Sequence, residues 1–518
     1  MSIICAPATR TGGAIAVVRV SGEGCLALID NIFTAKNHQP LTAAKPYTLH
    51  YGEIKDSQGN TLDDVLISVF HAPNSYTGEE SAEISCHGSQ YITNAILQLL
   101  FENGCRMAQP GEYTRRAYLN GKMDLSQAEA VADLIAANNK ATHHLAMSQL
   151  KGHFSSELSQ LREKLLKMTS LLELELDFSD HEELEFADRT ELIQLARHID
   201  ERVITLAHSF MTGNALKKGI PVAIIGKTNV GKSTLLNQLL HEDKAIVSDI
   251  DGTTRDTVED TMLIHGITFR FIDTAGIRHT DDRIEQLGIE RSYQKMDEAS
   301  IIVWLVDHQP SDEETSDIAN RIGDKPLILV HNKLDLVTDS PNDRSADSHI
   351  NPSVDSLTES PTDSRTNRSA DSRTNRSAES RTNRSAESRT NRSADSPSEH
   401  AIGSTAIRSL LHPAAELSIS AKYGQGIELL ENAIFRLADI PELTEDTVII
   451  TNSRHYDALI HAHEALDRVL SGLTSSLPSD LVAEDLRQVL QILGDITGGA
   501  ISSQETLNNI FQHFCIGK

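Results

Sequence analysis

Aromatic side chains are scarce, only 4% of the 518 residues, so the cores must be mainly aliphatic, and the 39% apolar content is enough for that. Five cysteines, Cys5, Cys25, Cys86, Cys105 and Cys515, are odd in number, scattered and without a CxxC pair. That argues against a disulfide framework or a cysteine zinc site and leads us to expect reduced thiols in a cytoplasmic protein. No apolar run reaches the length of a membrane span, and the N-terminus lacks a basic segment followed by a long apolar one, so a soluble protein without membrane attachment is expected. Positive charge is in deficit: 47 Lys and Arg face 74 Asp and Glu, a net charge of −27. Phosphate neutralisation supplies most of a protein's grip on nucleic acid. An RNA substrate here would therefore need a partner to carry much of the positive field.

What is present centres on Gly226-Lys227-Thr228-Asn229-Val230-Gly231-Lys232-Ser233, which fits GxxxxGK[ST] between the apolar run 220–225 and the leucine-rich segment 234–240. Strand, glycine loop and helix in that order form a phosphate cradle, with backbone N–H groups from Asn229 to Thr234 pointing at phosphate oxygens. Lys232 would reach the β and γ phosphates and Ser233 would hold Mg²⁺. Downstream, Asp273-Thr274-Ala275-Gly276 ends the apolar run 267–272. Asp273 there would hold Mg²⁺ through water while the Gly276 amide faces the γ-phosphate. Thr254, in the polar loop 252–256, is a second expected Mg²⁺ ligand. Asn332-Lys333-Leu334-Asp335 follows the strand expected at 326–331. The Asp335 carboxylate can accept from a guanine N1–H and exocyclic NH₂, a pair adenine cannot donate, and a site built on that match rejects the wrong base by ~10⁴ or more. The nucleotide is read as GTP. Ser420-Ala421-Lys422, after a short strand at 416–419, is expected to pack on the guanine O6. Directly after Gly276 stands Ile277, which cannot orient an attacking water. Glu285 is available just downstream, and residue chemistry alone leaves two readings level: water positioning, or a helix-start carboxylate favoured by the dipole.

In chain order, residues 1–120 alternate strand-like runs at 14–20, 65–70 and 82–87 with polar loops and a helix at 90–102, an α+β domain. Ser126 and Glu129 read as a capping box opening a helix through Asn139. Helical periodicity occupies 142–178 and 190–212 within a first helical part, 121–218. An α/β domain is expected over 219–441, closing with a helix at 427–438. Helical periodicity then returns over 442–518, at 457–470, 480–493 and 506–514. Helices before and after point to a GTPase domain inserted into one helical domain. Residues 338–409 interrupt it. Four octapeptides at 364–395, SRTNRSAD, SRTNRSAE, SRTNRSAE and SRTNRSAD, sit in a Ser, Asp and Asn-rich tract. A tract so poor in apolar residues cannot form a core and is expected to be a solvated, disordered insertion.

Gly12-Gly13, Arg19-Val20-Ser21-Gly22, Asn74 to Glu79, Pro110-Gly111-Glu112-Tyr113 and the terminal Cys515-Ile516-Gly517-Lys518, together with the inserted GTPase domain, resemble the MnmE (TrmE) family of tRNA-modifying GTPases. The resemblance spans nearly the whole chain outside the insertion. It implies an α+β folate-binding-like N-terminal domain that dimerises, an α-helical bundle domain, and an inserted Ras-like P-loop domain. It implies a homodimer that works with an FAD-containing partner, MnmG, as a heterotetramer. Together they install an aminomethyl or carboxymethylaminomethyl group at C5 of the wobble uridine of certain tRNAs. The one-carbon source would be a 5-formyl- or methylene-tetrahydrofolate. A K⁺ ion is implied in place of an arginine finger, with ligands mapping to Asn229, Ser248, Ile250 and Thr253. The family pattern assigns water positioning to Glu285, folate contacts to Arg19, Glu83, Lys122 and Lys518, and a part in the modification chemistry to Cys515. A ribosome-assembly or RNA-chaperone GTPase shares the nucleotide motifs and is the alternative reading. It would carry a basic RNA-binding appendage and gives no account of the terminal CIGK.

Overall fold

The computed structural model describes the chain except Met1, Thr11, 178–188, Thr228, 243–259, 273–295, 338–410, 445–446, Ser476, 500–506, 508–509, His513, 515–516 and Lys518. The octapeptide tract lies outside the described residues.

The N-terminal strands are β1 (Ile4–Pro7), β2 (Ile15–Ser21), β3 (Phe33–Ala35), β4 (Thr48–Lys55), β5 (Thr61–Phe70), β6 (Ser81–His87) and β7 (Arg106–Met107). They form one sheet in the order β3-β4-β5-β6-β2-β1-β7. Period-two alternation turns Ala16, Val18 and Val20 of β2, Val65, Ile67 and Val69 of β5, and Ala82 and Ile84 of β6 to one face. There they pack against α1 (Cys25–Asp30) and α2 (Gln90–Glu102). The opposite face carries exposed Ile15, Leu49, Tyr51 and Leu66.

Next come α3 (Glu112–Leu119), α4 (Leu125–Ala136), α5 (Lys140–Leu150), α6 (His153–Asp177) and α7 (Arg189–Lys218). The capping box expected at Ser126 is two residues earlier. Asp124 Oδ1 accepts the Gln127 amide at 2.9 Å and Gln127 Oε1 accepts the Asp124 amide at 3.0 Å. Asp124 has the extended backbone an N-cap needs, while Ser126 Oγ donates to its carboxylate at 2.9 Å. Glu129, released from capping, points into the protein. The helix expected through Asn139 stops at Ala136, because Asn139 caps α5. The helical periodicity expected over 142–178 is met by two helices, α5 and α6, which part at Gly152, whose φ of +87° suits glycine.

The second sheet comprises β8 (Ile220–Ile225), β9 (Asp260–Ile264), β10 (Ile267–Phe271), β11 (Ile301–Val306), β12 (Leu327–His331) and β13 (Ala415–Ser418). Its order is β13-β12-β11-β8-β10-β9, parallel except for the β9–β10 hairpin. β8 and β11 are continuous apolar runs because both faces are covered: Val222 and Ile224 face one core, Ala223 and Ile225 the other. Around the sheet lie α8 (Lys232–Glu242), α9 (Asp312–Ile322), α10 (Leu334–Val337) and α11 (Ile427–Leu437).

Finally α12 (Ser453–Thr474) and α13 (Ser479–Thr497) return to α6 and α7. Leu158, Leu165 and Val203 from before the second sheet share one core with Leu459, Leu466, Leu486 and Val489 from after it. No helix among the described residues is long and apolar enough to cross a membrane.

Two buried carboxylates tie these parts together. Glu129 accepts Arg454 Nε and Nη2, each at 2.9 Å, and lies 2.7 Å from His455 Nε2. Burial pushes its carboxyl up, but the bonds from His455 and Arg454 override it and hold it at about 2. Glu112 is likewise raised by burial and brought to about 2 by Arg106, the Gln109 amide and Arg116. A folded-state value below the unfolded one means stability present above pH ~4.5 and lost as pH falls toward 2, on the order of 3 kcal/mol per group. The urea midpoint is therefore expected to drop between pH 5 and pH 3, and Glu129→Gln to be less stable at pH 6 with a shallower acid slope. A flat midpoint over that range in the parent chain would contradict this assignment.

Candidate functional site

The glycine loop leaves β8 under close constraint. Gly226 has φ +149°, and a Cβ there would lie 2.2 Å from Leu305 O on β11. Asn229 adopts a left-handed φ of +63°. Gly231 has φ +102°, and a Cβ would lie 2.3 Å from Asn332 Nδ2. The chain curls back on itself and enters α8 at Lys232, so the amide end of that helix opens onto the loop. Lys232 Nζ donates to Gly226 O at 2.7 Å and Lys227 O at 2.6 Å, which sets the ammonium inside the curl. Ser233 is half-buried beside it and Thr234 is exposed.

Asn332 ties three loops. Its amide donates to Val306 O at 2.7 Å, its Nδ2 to Val230 O at 2.7 Å, and its Oδ1 accepts the Ala421 amide at 2.9 Å. Ser420, fully buried, donates from Oγ to Asp335 Oδ1 at 2.7 Å. The residues expected to read the base, Asn332, Lys333, Asp335, Ser420 and Ala421, are thus assembled beside the glycine loop, with Lys422 exposed next to them. All follow the C-terminal ends of parallel strands, where α/β sheets bind ligands.

Sequence reasoning missed Asp307. It follows the apolar strand β11 and accepts Lys333 Nζ at 2.6 Å. Hydrogen bonds from Lys333, then His308, hold its carboxyl at about 2. An acid placed directly after a fully apolar run was the available signal. Lys227 also pairs with Glu314, at the edge of a cleft of about 260 Å³ lined by Gly226, Trp304, Val306 and His308.

A second cluster lies on the N-terminal sheet. Arg19 and Glu83 are directly opposed on β2 and β6. Arg19 Nε and Nη2 donate to Glu83 Oε1 at 2.9 and 2.7 Å, and Nη1 to Gly517 O at 3.3 Å. The guanidinium carbon is 5.6 Å from the ring centres of both Tyr76 and Tyr113. Gly517 packs so closely that a Cβ would lie 2.3 Å from Pro7 O. Lys122 Nζ donates to Pro73 O at 3.1 Å, joining the cluster through the loop that carries Tyr76. Tyr76 and Tyr113 stand in the motifs that carry the resemblance, but neither was assigned a site role from the sequence. Ser248, Ile250, Thr253, Thr254, Asp273, Thr274, Ala275, Gly276, Glu285, Cys515 and Lys518 lie outside the described residues.

A glycine loop opening a helix on a largely parallel sheet, locked to an Asn-Lys-Leu-Asp loop, defines a GTPase. The family profile for the MnmE helical domain matches residues 125–515, and that for the GTP-binding protein TrmE N-terminus matches residues 3–122. The tRNA modification GTPase MnmE of Parabacteroides distasonis is 48% identical, with 100% of each chain covered. Those of Bacteroides fragilis and Phocaeicola vulgatus are 48% and 47% identical over 99% of this chain and 99% and 98% of theirs. A GTP-binding protein of Sulfolobus solfataricus solved with GDP is similar at 14% identity and a TM-score of 0.23, over 64% of this chain and 79% of that chain, too low to bear on the fold. The chain belongs to the MnmE family.

Proposed function

We propose that this GTPase, with an FAD-containing MnmG-type partner, installs an aminomethyl or carboxymethylaminomethyl group at C5 of the wobble uridine of certain tRNAs. Its one-carbon unit comes from a tetrahydrofolate species. The observation that carries the reading is Arg19, whose guanidinium meets both Glu83 and the Gly517 carbonyl between two tyrosine rings. That contact brings Gly517, of the CIGK stretch, to the site proposed for folate. Glu83 suits the paired N–H donors of a pterin edge, Arg19 and Lys122 suit a glutamate tail, and the tyrosines offer stacking faces. Cys515, two residues before Gly517, would take part in the modification there, and Lys518 completes the folate set.

At the nucleotide, Ser233 and Thr254 are proposed as Mg²⁺ ligands with Asp273 acting through water. Asn229, Ser248, Ile250 and Thr253 are proposed to hold K⁺, and Glu285 to position the attacking water. The left-handed, exposed Asn229 at the crest of the loop supports the K⁺ site, since its amide offers the oxygen donor a hard cation takes. A cation against the phosphates supplies compensation for the charge that builds there in the transition state. A core shared by helices on both sides of the second sheet supports an inserted GTPase domain, 219–441, with flanking parts 121–218 and 442–518. The exposed Leu49, Tyr51 and Leu66 face supports dimerisation through the N-terminal domain, 1–120. We place the protein in the cytoplasm, where tRNA, GTP and folate meet.

Reconstitution with the partner, FAD, tRNA, GTP and methylene-tetrahydrofolate is expected to give a tRNA whose wobble uridine carries the added mass. Steady GTP turnover with unaltered tRNA would move weight to the ribosome-assembly or RNA-chaperone reading.

A further inference from the structure

The hairpin β9–β10 is placed to report on the nucleotide. β9 begins six residues after Thr254 and β10 ends two residues before Asp273, the positions read as meeting Mg²⁺ and the γ-phosphate. Loops of that kind change with the γ-phosphate in switch GTPases. The far end of the hairpin turns at His265 and Gly266, with φ +50° and +82°, the left-handed pair of a tight hairpin turn.

That turn lands on the N-terminus of α5. Gly266 O accepts the Ala141 amide at 3.3 Å, and Thr268 Oγ1 accepts Asn139 Nδ2 at 2.7 Å. Asn139 thereby has two tasks: its Oδ1 caps α5 by accepting the Thr142 amide at 2.8 Å, while its NH₂ grips the hairpin. One side of the joint opens on a cleft of about 400 Å³ lined by Lys140, His144, His265, Phe435 and Leu443, across which His265 Nε2 meets Asn432 Oδ1 at 2.8 Å and its ring packs edge-on against Phe435.

At its other end α5 is fastened to α4 by two crossed glutamines. Gln127 Nε2 donates to Leu150 O at 3.0 Å, and Gln149 Nε2 to Ser126 O at 2.9 Å. The start of α4 packs Leu125 and Ala128 against Leu507 and Phe511 of the C-terminal segment, whose Gly517 meets Arg19. α5 has 11 residues, so a rigid strut of about 16 Å separates the hairpin joint from this end.

We infer that Asn139, gripping Thr268, is the positioning residue through which nucleotide state at the second sheet reaches the C-terminal segment on Arg19, along α5 and α4. The inference rests on the tRNA-modifying reading for its biological output but not for its physical test.

The informative variant is Thr268→Val, which keeps shape, removes the acceptor and leaves the Asn139 cap of α5 intact. Hydrogen exchange is read with and without a non-hydrolysable GTP analogue. In the parent chain, analogue-dependent changes are expected in the first turn of α5 and in 507–514. In Thr268→Val they should stop within β9–β10, and Thr268→Ser, which retains the hydroxyl, should restore them. GTP turnover should stay within about twofold while uridine modified per GTP falls five- to tenfold, the low end of coupling between distinct sites. Propagation to 507–514 undiminished in Thr268→Val, or no propagation in the parent chain, overturns the inference. A parent chain that transmits the change but modifies no tRNA condemns the functional reading and spares the strut.

Discussion

Replacing K⁺ by Na⁺ at equal ionic strength is expected to lower GTP turnover by about 10³-fold, the low end of what an arginine finger contributes in other GTPases. The effect should fall on kcat, since the cation is proposed to act where charge builds on the phosphates and not where the base is read. Asn229→Gly is the variant that isolates the ligand. Asn229 sits at φ +63°, a conformation glycine takes without strain, so this change removes the carboxamide oxygen and leaves the loop's curl. Alanine would add a backbone penalty and blur the result. The glycine variant should turn over slowly and equally in both salts while binding GTP nearly as the parent does. Parent turnover indifferent to the cation would remove the K⁺ site and return the water-positioning role of Glu285 to an open question.

Asp335→Asn is expected to weaken GTP binding by about 10³- to 10⁴-fold and to favour xanthosine triphosphate, measured by titration calorimetry with both nucleotides. The carboxylate accepts from N1–H and the exocyclic amine of guanine. An amide in its place turns a donor toward that amine but matches xanthine, whose C2 carries a carbonyl. Ser420 Oγ, 2.7 Å from Asp335 Oδ1, can donate equally to an amide oxygen, so the side chain should keep its aim. Unchanged GTP affinity would mean that the base is read elsewhere.

Why some of this was visible in the sequence and some not follows from the range of the interactions. β8 and β11 are apolar on both faces, and the glycine loop and Asn-Lys-Leu-Asp loop are contiguous motifs, so local pattern suffices. β4 was invisible because its signal is inverted. Leu49 and Tyr51 face outward, while His50 and Gly52 face inward. Gly52 is inside because a Cβ there would lie 2.3 Å from Thr34 O. The mistaken cap at Ser126 has a similar origin: a local motif lost to Asp124, and only the distant Arg454 and His455 give Glu129 its place. Asn332 was legible as a base-reading residue. Its ties to Val230 O and the Ala421 amide span 102 and 89 positions and belong to the tertiary fold alone.

The core shared by α6, α7, α12 and α13 has a consequence for biosynthesis. Ala207 and Ile450 belong to that one core, yet the ribosome makes some 240 residues between them. At about 5–20 residues per second, α6 and α7 wait on the order of tens of seconds with their apolar stripes unmatched. The second sheet, complete once β13 has emerged, can fold during that interval. A chain arrested after Leu437 should hence expose Leu158, Leu165 and Val203 to chaperones, and α12 and α13 act as the closing half of α6 and α7.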